Sequence, residues 1–361
     1  MDIAVIGATG VVGKQCLELL GSGALPGLGR VVPVASAGSA GRNLAVEYGL
    51  SLKIEDVVAL DDFDPSGIDL AIFSAGAPIS RELGPVVAAA GALVVDNSSA
   101  FRMEDDVPLV VPQVNPQTMA TRPARGIVSV PNCSTIQLVR ALHPLRALGG
   151  LERLIVATYQ AASGGGLRGL DELAATSRTI LDSEPSAGLL TGPPVSATVG
   201  PPVGAPGRFG QPLAFSLVPE IGLRDDDGIS HEEHKLRREP RKILNLPELR
   251  VAATAVRVPV VNGHSEAVHV TFDGPVDAGD ALDVLRTAPG LRVYGADEGY
   301  PMPRQVCASP RSSALVHVGR VRADPDDPCS LLLWVVADNL VVGAALTALE
   351  IARLAAEASW A

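Results

Sequence analysis

The sequence predicts an α/β fold: a doubly wound parallel sheet joined to a second α+β domain. Three observations carry this. The chain starts with a strand, a glycine turn and an amphipathic helix. Apolar strands and helices then alternate at the rhythm of a parallel sheet as far as residue 130. Beyond residue 150 the texture changes to longer, alternating strands, as expected of a more antiparallel sheet.

The first strand is Ile3-Ala4-Val5-Ile6. It runs directly into Gly7-Ala8-Thr9-Gly10-Val11-Val12-Gly13 and a helix with Val12, Cys16, Leu19 and Leu20 on one face. Strand, glycine turn and helix in this order form a dinucleotide-binding unit of Rossmann type. The glycines let the backbone approach a pyrophosphate, which rests on the helix N-terminus. The spacing is G-x-x-G-x-x-G, not the commoner G-x-G-x-x-G. The second strand, over 30–35, ends without the acidic residue that holds the ribose of NAD. Ser36, Ala37, Gly38 and Ser39 follow, with Arg42 nearby. Small hydroxyl residues and a cation suit a 2′-phosphate, so NADP is favoured. A strand over 69–73 ends in Ser74-Ala75-Gly76. A helix over 80–90 and a strand over 92–95 lead to Asp96-Asn97-Ser98-Ser99-Ala100-Phe101-Arg102. Both segments fall at the carboxyl ends of strands, where such sheets bind ligands, and Arg102 is a candidate anion clamp.

Residues 126–130 form a further strand leading to Pro131-Asn132-Cys133-Ser134-Thr135 and a helix over 134–148. A cysteine at a helix start sits where unpaired N–H groups favour a thiolate. The plain alternative is a small residue packing the helix start.

A strand over 151–159 ends in Gln160-Ala161-Ala162-Ser163-Gly164-Gly165-Gly166, before a helix over 167–181. Residues 188–211, rich in Pro and Gly, read as an irregular excursion. Ser230-His231-Glu232-Glu233-His234-Lys235 opens a charged helix, whose default reading is a solvated face. Its two histidines are at i, i+3 and do not match the zinc-protease spacing, so no metal is expected. Strands over 251–260 and 265–272 flank Gly263-His264, a histidine more often found at the surface than as a base. A short helix over 280–287 and strands over 314–321 and 331–336 precede a final helix from Asp338-Asn339 to 358. That helix is expected to pack back on the first sheet. The first domain is therefore discontinuous, 1–130 with 337–361, and the second spans 131–336.

Of the 361 residues, 47% are hydrophobic and 19% charged, which supports a large core and excludes disorder. A net charge of -11 argues against nucleic acid or an anionic membrane as partner. The four cysteines, Cys16, Cys133, Cys307 and Cys329, show neither paired nor zinc spacing. No leader and no membrane span are expected, and the chain reads as cytoplasmic with reduced thiols.

Taken together, these motifs resemble the aspartate-β-semialdehyde dehydrogenase family. The resemblance runs almost end to end, through 7–13, 74–76, 96–103, 111–115, 131–135, 158–164, 232–235, Arg257-Val258-Pro259-Val260, 263–266 and 338–340. It implies interconversion of L-aspartyl-4-phosphate and L-aspartate-4-semialdehyde with NADPH, on the route from aspartate to lysine, threonine, methionine and diaminopimelate. By position it makes Cys133 the nucleophile that forms an acyl-thioester, His264 the acid/base and Gln160 the orienter of the acyl group. Arg257 would hold the α-carboxylate and Glu232 the α-amino group, with Asn132 beside them. Arg102 and Lys235 would bind phosphate. Thr9, Gly10, Val11, Val12, Ser39, Ser163, Gly164 and Asn339 would contact the cofactor. A homodimer formed through the second domain is implied. One departure is Gly38, where the family often has an arginine that grips the 2′-phosphate. Two relatives on the same scaffold compete, N-acetyl-γ-glutamyl-phosphate reductase and a CoA-thioester reductase. A non-catalytic homologue is the remaining alternative. The Arg257/His264 spacing and the Glu232/Lys235 pair fit the aspartate enzyme better.

Overall fold

In the computed structural model, residues 1–183 and 207–360 are described. Within the 188–211 stretch, 188–206 therefore lie outside the described residues. The first lobe is a parallel sheet of six strands: β1 (Ile3–Ile6), β2 (Val31–Ala35), β3 (Val58–Ala59), β4 (Leu70–Phe73), β5 (Leu93–Asp96) and β6 (Ile127–Ser129). Their order is β3-β2-β1-β4-β5-β6. Nearly every strand residue is buried, as expected of a sheet covered on both faces.

The strands alternate their side chains between two cores. Ile3, Val5, Ile72 and Val95 join a cluster with α1 (Val11–Gly21) and the last helix, while Ala4, Ile6, Phe73 and Val94 face Val87 of a helix over Ala77–Ala89. The helix over 77–89 starts three residues earlier than expected because Gly76, at φ +91°, turns the chain sharply and Pro78 occupies its first turn.

The second sheet has β7 (Leu151–Gln160), β8 (Arg250–Arg257), β9 (His264–Phe272), β10 (Leu291–Val293), β11 (Val316–Ala323) and β12 (Ser330–Ala337), in the order β10-β11-β12-β9-β7-β8. It is mixed: β7–β8 and β10–β11 are parallel, and the central pairs are antiparallel. Its inner face packs on the cysteine helix (Cys133–Leu145), so the first core continues into the second lobe without a break. The outer face leaves Ile155 and Tyr159 exposed, with Trp334 stacked beside Tyr159.

After β12 the chain returns to the first lobe. The expected single helix is two pieces: a π-helical turn at Val341–Ala345, then an α-helix over Leu346–Glu357. Gly343 lies within this turn, and a Cβ there would lie 2.7 Å from Cys133 Cβ, so the backbone packs directly on the start of the cysteine helix. The run 307–311 links two short helical turns, Pro303–Val306 and Pro310–Ser313, and enters the second. Cys307 Sγ and Pro303 fill the space beneath Gly263, whose φ is +94°. Among the described residues no helix is long and apolar enough to cross a membrane.

Candidate active site

The carboxyl edge of the first sheet gathers the glycine turn with the loops after β4, β5 and β6. A Cβ on Gly7 would lie 2.8 Å from the Ser74 carbonyl, and one on Gly13 would lie 2.2 Å from Gly7 O. Only glycine permits this approach of turn, helix and neighbouring loop. The helix start carries no acidic residue in its first turn and no side-chain cap, which leaves its N–H groups free for an anion. Thr9, Gly10, Val11 and Val12 are partly accessible there, while Ser36, Gly38 and Ser39 lie at the exposed end of β2. A Cβ on Gly38 would meet open space. Arg42 does not point freely to that edge: it forms a two-pronged ion pair with Glu47.

The site proper is built where the two lobes meet. Asn132 caps the cysteine helix, its Oδ1 accepting from the N–H groups of Ser134 (3.1 Å) and Thr135 (3.4 Å). Cys133 is thus the first helical residue, one earlier than expected. Asn132 Nδ2 donates to Glu232 Oε1 at 2.8 Å, and Gln160 Nε2 donates to the same oxygen at 3.2 Å. Lys235 Nζ donates to Glu232 Oε2 at 2.8 Å. Glu232 and Lys235 come from the helix over His231–Leu244, one turn apart on one face. Glu232 is only 6% exposed, so the reading of a solvated helix face is corrected. Ser230 and Glu233 fix the helix start in a capping box, and its buried face carries Glu232, Leu236 and Glu239 while His231 and Arg238 stay exposed. Asn132, Cys133, Gln160, Gly164, Glu232, Lys235 and Arg257 line a cavity of about 1060 Å³, together with residues of 208–224.

Arg257 ends β8, Gln160 ends β7 and the two pair in register. Arg257 Nη1 donates to Ala161 O at 2.7 Å, and its guanidinium lies 5.5 Å from the ring centre of Phe209. Gly164 leaves room for this, since a Cβ there would lie 2.7 Å from Arg257 Nη1 and 3.3 Å from His264 Nε2. His264 is not a surface residue of the turn: it is 0% exposed, as the first residue of β9. The Ala161 N–H donates to His264 Nδ1 at 3.1 Å, so the neutral ring carries its proton on Nε2. Among the described residues Nε2 has no hydrogen-bond partner. Burial and the adjacent Arg257 push the histidine down to about 3, which keeps it neutral. Ser163 and Asn339 bind each other (2.9 Å), and Asn339 Oδ1 accepts from the Gly263 N–H at 2.9 Å, which ties the returning chain to this corner.

The charges oppose one sequence expectation. Burial, then Glu232, push the Cys133 thiol up to about 11, against the pull of Lys235, Arg257 and Arg102. Burial outweighs the three cations, so the sulfur rests as a thiol. Glu232 itself would be raised by burial, but Lys235 and the hydrogen bonds from Asn132 and Gln160 hold it at about 2. Glu232→Gln is therefore expected to move the midpoint of Cys133 alkylation by iodoacetamide to lower pH. Below the midpoint, the thiolate population at a fixed pH grows about tenfold for every pH unit by which the midpoint falls. A midpoint that stays put or rises would contradict this pairing. Arg102 is buried, with Nε on Val130 O (2.9 Å), Nη2 on Asn97 O (2.8 Å) and Nη1 on Glu239 (3.1 Å). Among the described residues no cluster of His, Cys, Asp or Glu could hold a metal ion.

The site lies where a parallel sheet with a glycine turn meets a mixed sheet, and the chain is of the semialdehyde dehydrogenase class. The family model for the semialdehyde dehydrogenase NAD binding domain matches residues 2–122, and that for the dimerisation domain matches 142–342. More particularly, the chain belongs to the aspartate-semialdehyde dehydrogenase family. The aspartate-semialdehyde dehydrogenase of Legionella pneumophila is 40% identical over 356 residues, covering 98% of this chain and 95% of that one. The crystal structure of aspartate semialdehyde dehydrogenase II from Vibrio cholerae complexed with ASA is similar at a TM-score of 0.87 and 38% identity, covering 99% of this chain and 98% of that one. The structure of the Candida albicans enzyme with NADP has a TM-score of 0.69 at 26% identity, covering 100% of this chain and 99% of that one.

Proposed function

We propose that Cys133 is the nucleophile in a reductive dephosphorylation of L-aspartyl-4-phosphate to L-aspartate-4-semialdehyde, with NADPH as cofactor. One observation supports this best. A buried carboxylate, Glu232, and a buried guanidinium, Arg257, line the same cavity as the thiol. That pair suits the ammonium and carboxylate of a free α-amino acid. An N-acetylated substrate has no ammonium and would leave that contact with Glu232 unmade.

In the forward direction the Cys133 thiolate attacks the acyl-phosphate carbon, the C–O bond breaks with its electron pair leaving on phosphate, which also carries off the thiol proton, and a thioester forms on Cys133. Phosphate leaves toward Arg102 and Lys235. The substrate ammonium pairs with Glu232 and relieves the charge that holds the thiol up, so substrate binding favours the thiolate. Gln160 orients the acyl group. His264 presents its Nε2–H to the carbonyl oxygen as charge develops there. This role is electrophilic, because the hydrogen bond to Nδ1 makes Nε2 a donor in the neutral ring. NADPH, held by Gly7 to Gly13 with Ser39, Ser74, Ala75, Gly76, Ser163, Gly164 and Asn339, supplies the reducing equivalent. The chain divides for this purpose at the positions read from sequence, 1–130 with 337–361, and 131–336. The exposed Ile155 and Tyr159 face supports a homodimer, and the setting is cytoplasmic.

The test is an assay in the reverse direction, following NADPH formation from L-aspartate-4-semialdehyde, phosphate and NADP. Turnover that requires all three, with N-acetylglutamate semialdehyde turned over at least about 10²-fold less efficiently, is the expected result. Preference for the N-acetylated compound, or for CoA over phosphate, would overturn the reading. A parallel titration with NAD measures what Gly38 and the Arg42–Glu47 pair have done to cofactor choice.

A further inference from the structure

The helix over His231–Leu244 carries Glu232, Lys235, Glu239 and Lys242 at i, i+3, i+7 and i+10, one continuous stripe. The first two reach the cavity, and the last two do not line it. Glu239 is 1% exposed and spans two groups at the carboxyl edge of the first sheet. Its Oε1 accepts from Arg102 Nη1 at 3.1 Å, and its Oε2 accepts from the backbone N–H of Asn132 at 2.7 Å. Lys242 Nζ reinforces the same junction, donating to the carbonyls of Arg102 (3.0 Å), Glu104 (2.6 Å) and Val107 (3.0 Å).

We propose that Glu239 is a positioning residue that fixes the distance between the phosphate-binding guanidinium of Arg102 and the thiol of Cys133. The proposal rests on the reading of Arg102 and Cys133 given above. In an acyl phosphate the carbon attacked and the phosphoryl group that leaves are separated by one oxygen. Cation and sulfur must therefore be held in one relative geometry, and a shift of an ångström in either is felt in the rate. Arg102 and Asn132 lie on separate loops of the first sheet, after β5 and after β6. A single carboxylate joins them by accepting once from each. An amide cannot do this. In the same pose its oxygen would meet one of the two donors and its NH2 would face the other, leaving a buried donor unpaired.

The experiment uses the full-length enzyme in the reverse assay with inorganic phosphate varied. Glu239→Gln is expected to raise KM for phosphate about tenfold, with KM for NADP within about twofold of wild type. A loss of folded protein alone would lower kcat and leave KM for phosphate unchanged. In an Arg102→Ala background, Glu239→Gln should add nothing further to KM for phosphate, because it acts through Arg102. Should Glu239→Gln fail to fold, Glu239→Asp keeps the charge with a shorter reach and is expected to raise the same KM less. An unchanged KM for phosphate, or the same multiplicative increase in both backgrounds, overturns the proposal. Failure of the underlying reading looks different. A wild type without phosphate-dependent turnover, or an Arg102→Ala variant with unaltered KM for phosphate, removes the role of Arg102 and the proposal with it. A silent Glu239→Gln beside a responsive Arg102→Ala removes the proposal alone.

Discussion

Cys133→Ser is expected to leave a folded protein that binds NADP as the wild type does and turns over roughly 10⁴-fold more slowly or worse. The hydroxyl is close in size, so the packing of Gly343 against the Cβ of residue 133 is kept. What is lost is a nucleophile that can ionise. Even the thiol, at about 11, is mostly protonated before substrate arrives. A serine hydroxyl in the same buried place is far harder to ionise, and the nearby imidazole is no base for it because Nε2 already carries a proton. Steady-state turnover together with fluorescence titration of NADP separates the two functions. Retained turnover in the serine variant would show that the thioester route is wrong.

His264→Ala is expected to lower kcat by about 10² to 10³-fold, the usual effect of removing one oxyanion donor. His264→Gln, whose amide can still donate, should retain more activity. The pH dependence sharpens this. The folded histidine is held down to about 3 by burial and Arg257, so it stays neutral from pH 5 to 8 and contributes no limb to the rate profile there. Raised by burial and Glu232, the thiol instead makes the reverse reaction of the free enzyme accelerate as pH rises toward about 11. A limb near pH 6.5 that disappears in His264→Gln would show that the imidazole titrates in the working range. The imidazolium would then be the acid.

Local chemistry made much of this fold legible in advance. The glycine turn after β1, the strand rhythm to residue 130 and the asparagine before Cys133 are dictated by backbone geometry within a few residues. Family resemblance supplied the roles of Glu232, Lys235, Arg257 and His264, which pattern alone left as a solvated helix face and a turn histidine. The errors came where distant chain decides. The run from His231 to Lys242 is as charged as any solvated helix, and only its position between two lobes buries Glu232 and Glu239. Cys133 obeys the helix-start rule in sequence, yet burial between the lobes, and after it a carboxylate a hundred residues away, keep it a thiol. The π-turn at Val341–Ala345 cannot be told from ordinary helix in an Ala-, Val- and Gly-rich run, whose close packing on Cys133 comes from distant chain.

The return of the last helix to the first sheet has a consequence for synthesis. A ribosome releases β1 to β6 first, and they can pair with one another at once. The face carrying Ile3, Val5, Ile72 and Val95, however, is completed by Leu349, Ile351, Ala352 and Ala355. Those residues emerge only after the whole second lobe. Until then the nascent chain carries an apolar sheet face that is only partly covered, which is the kind of surface chaperones recognise and aggregates grow from.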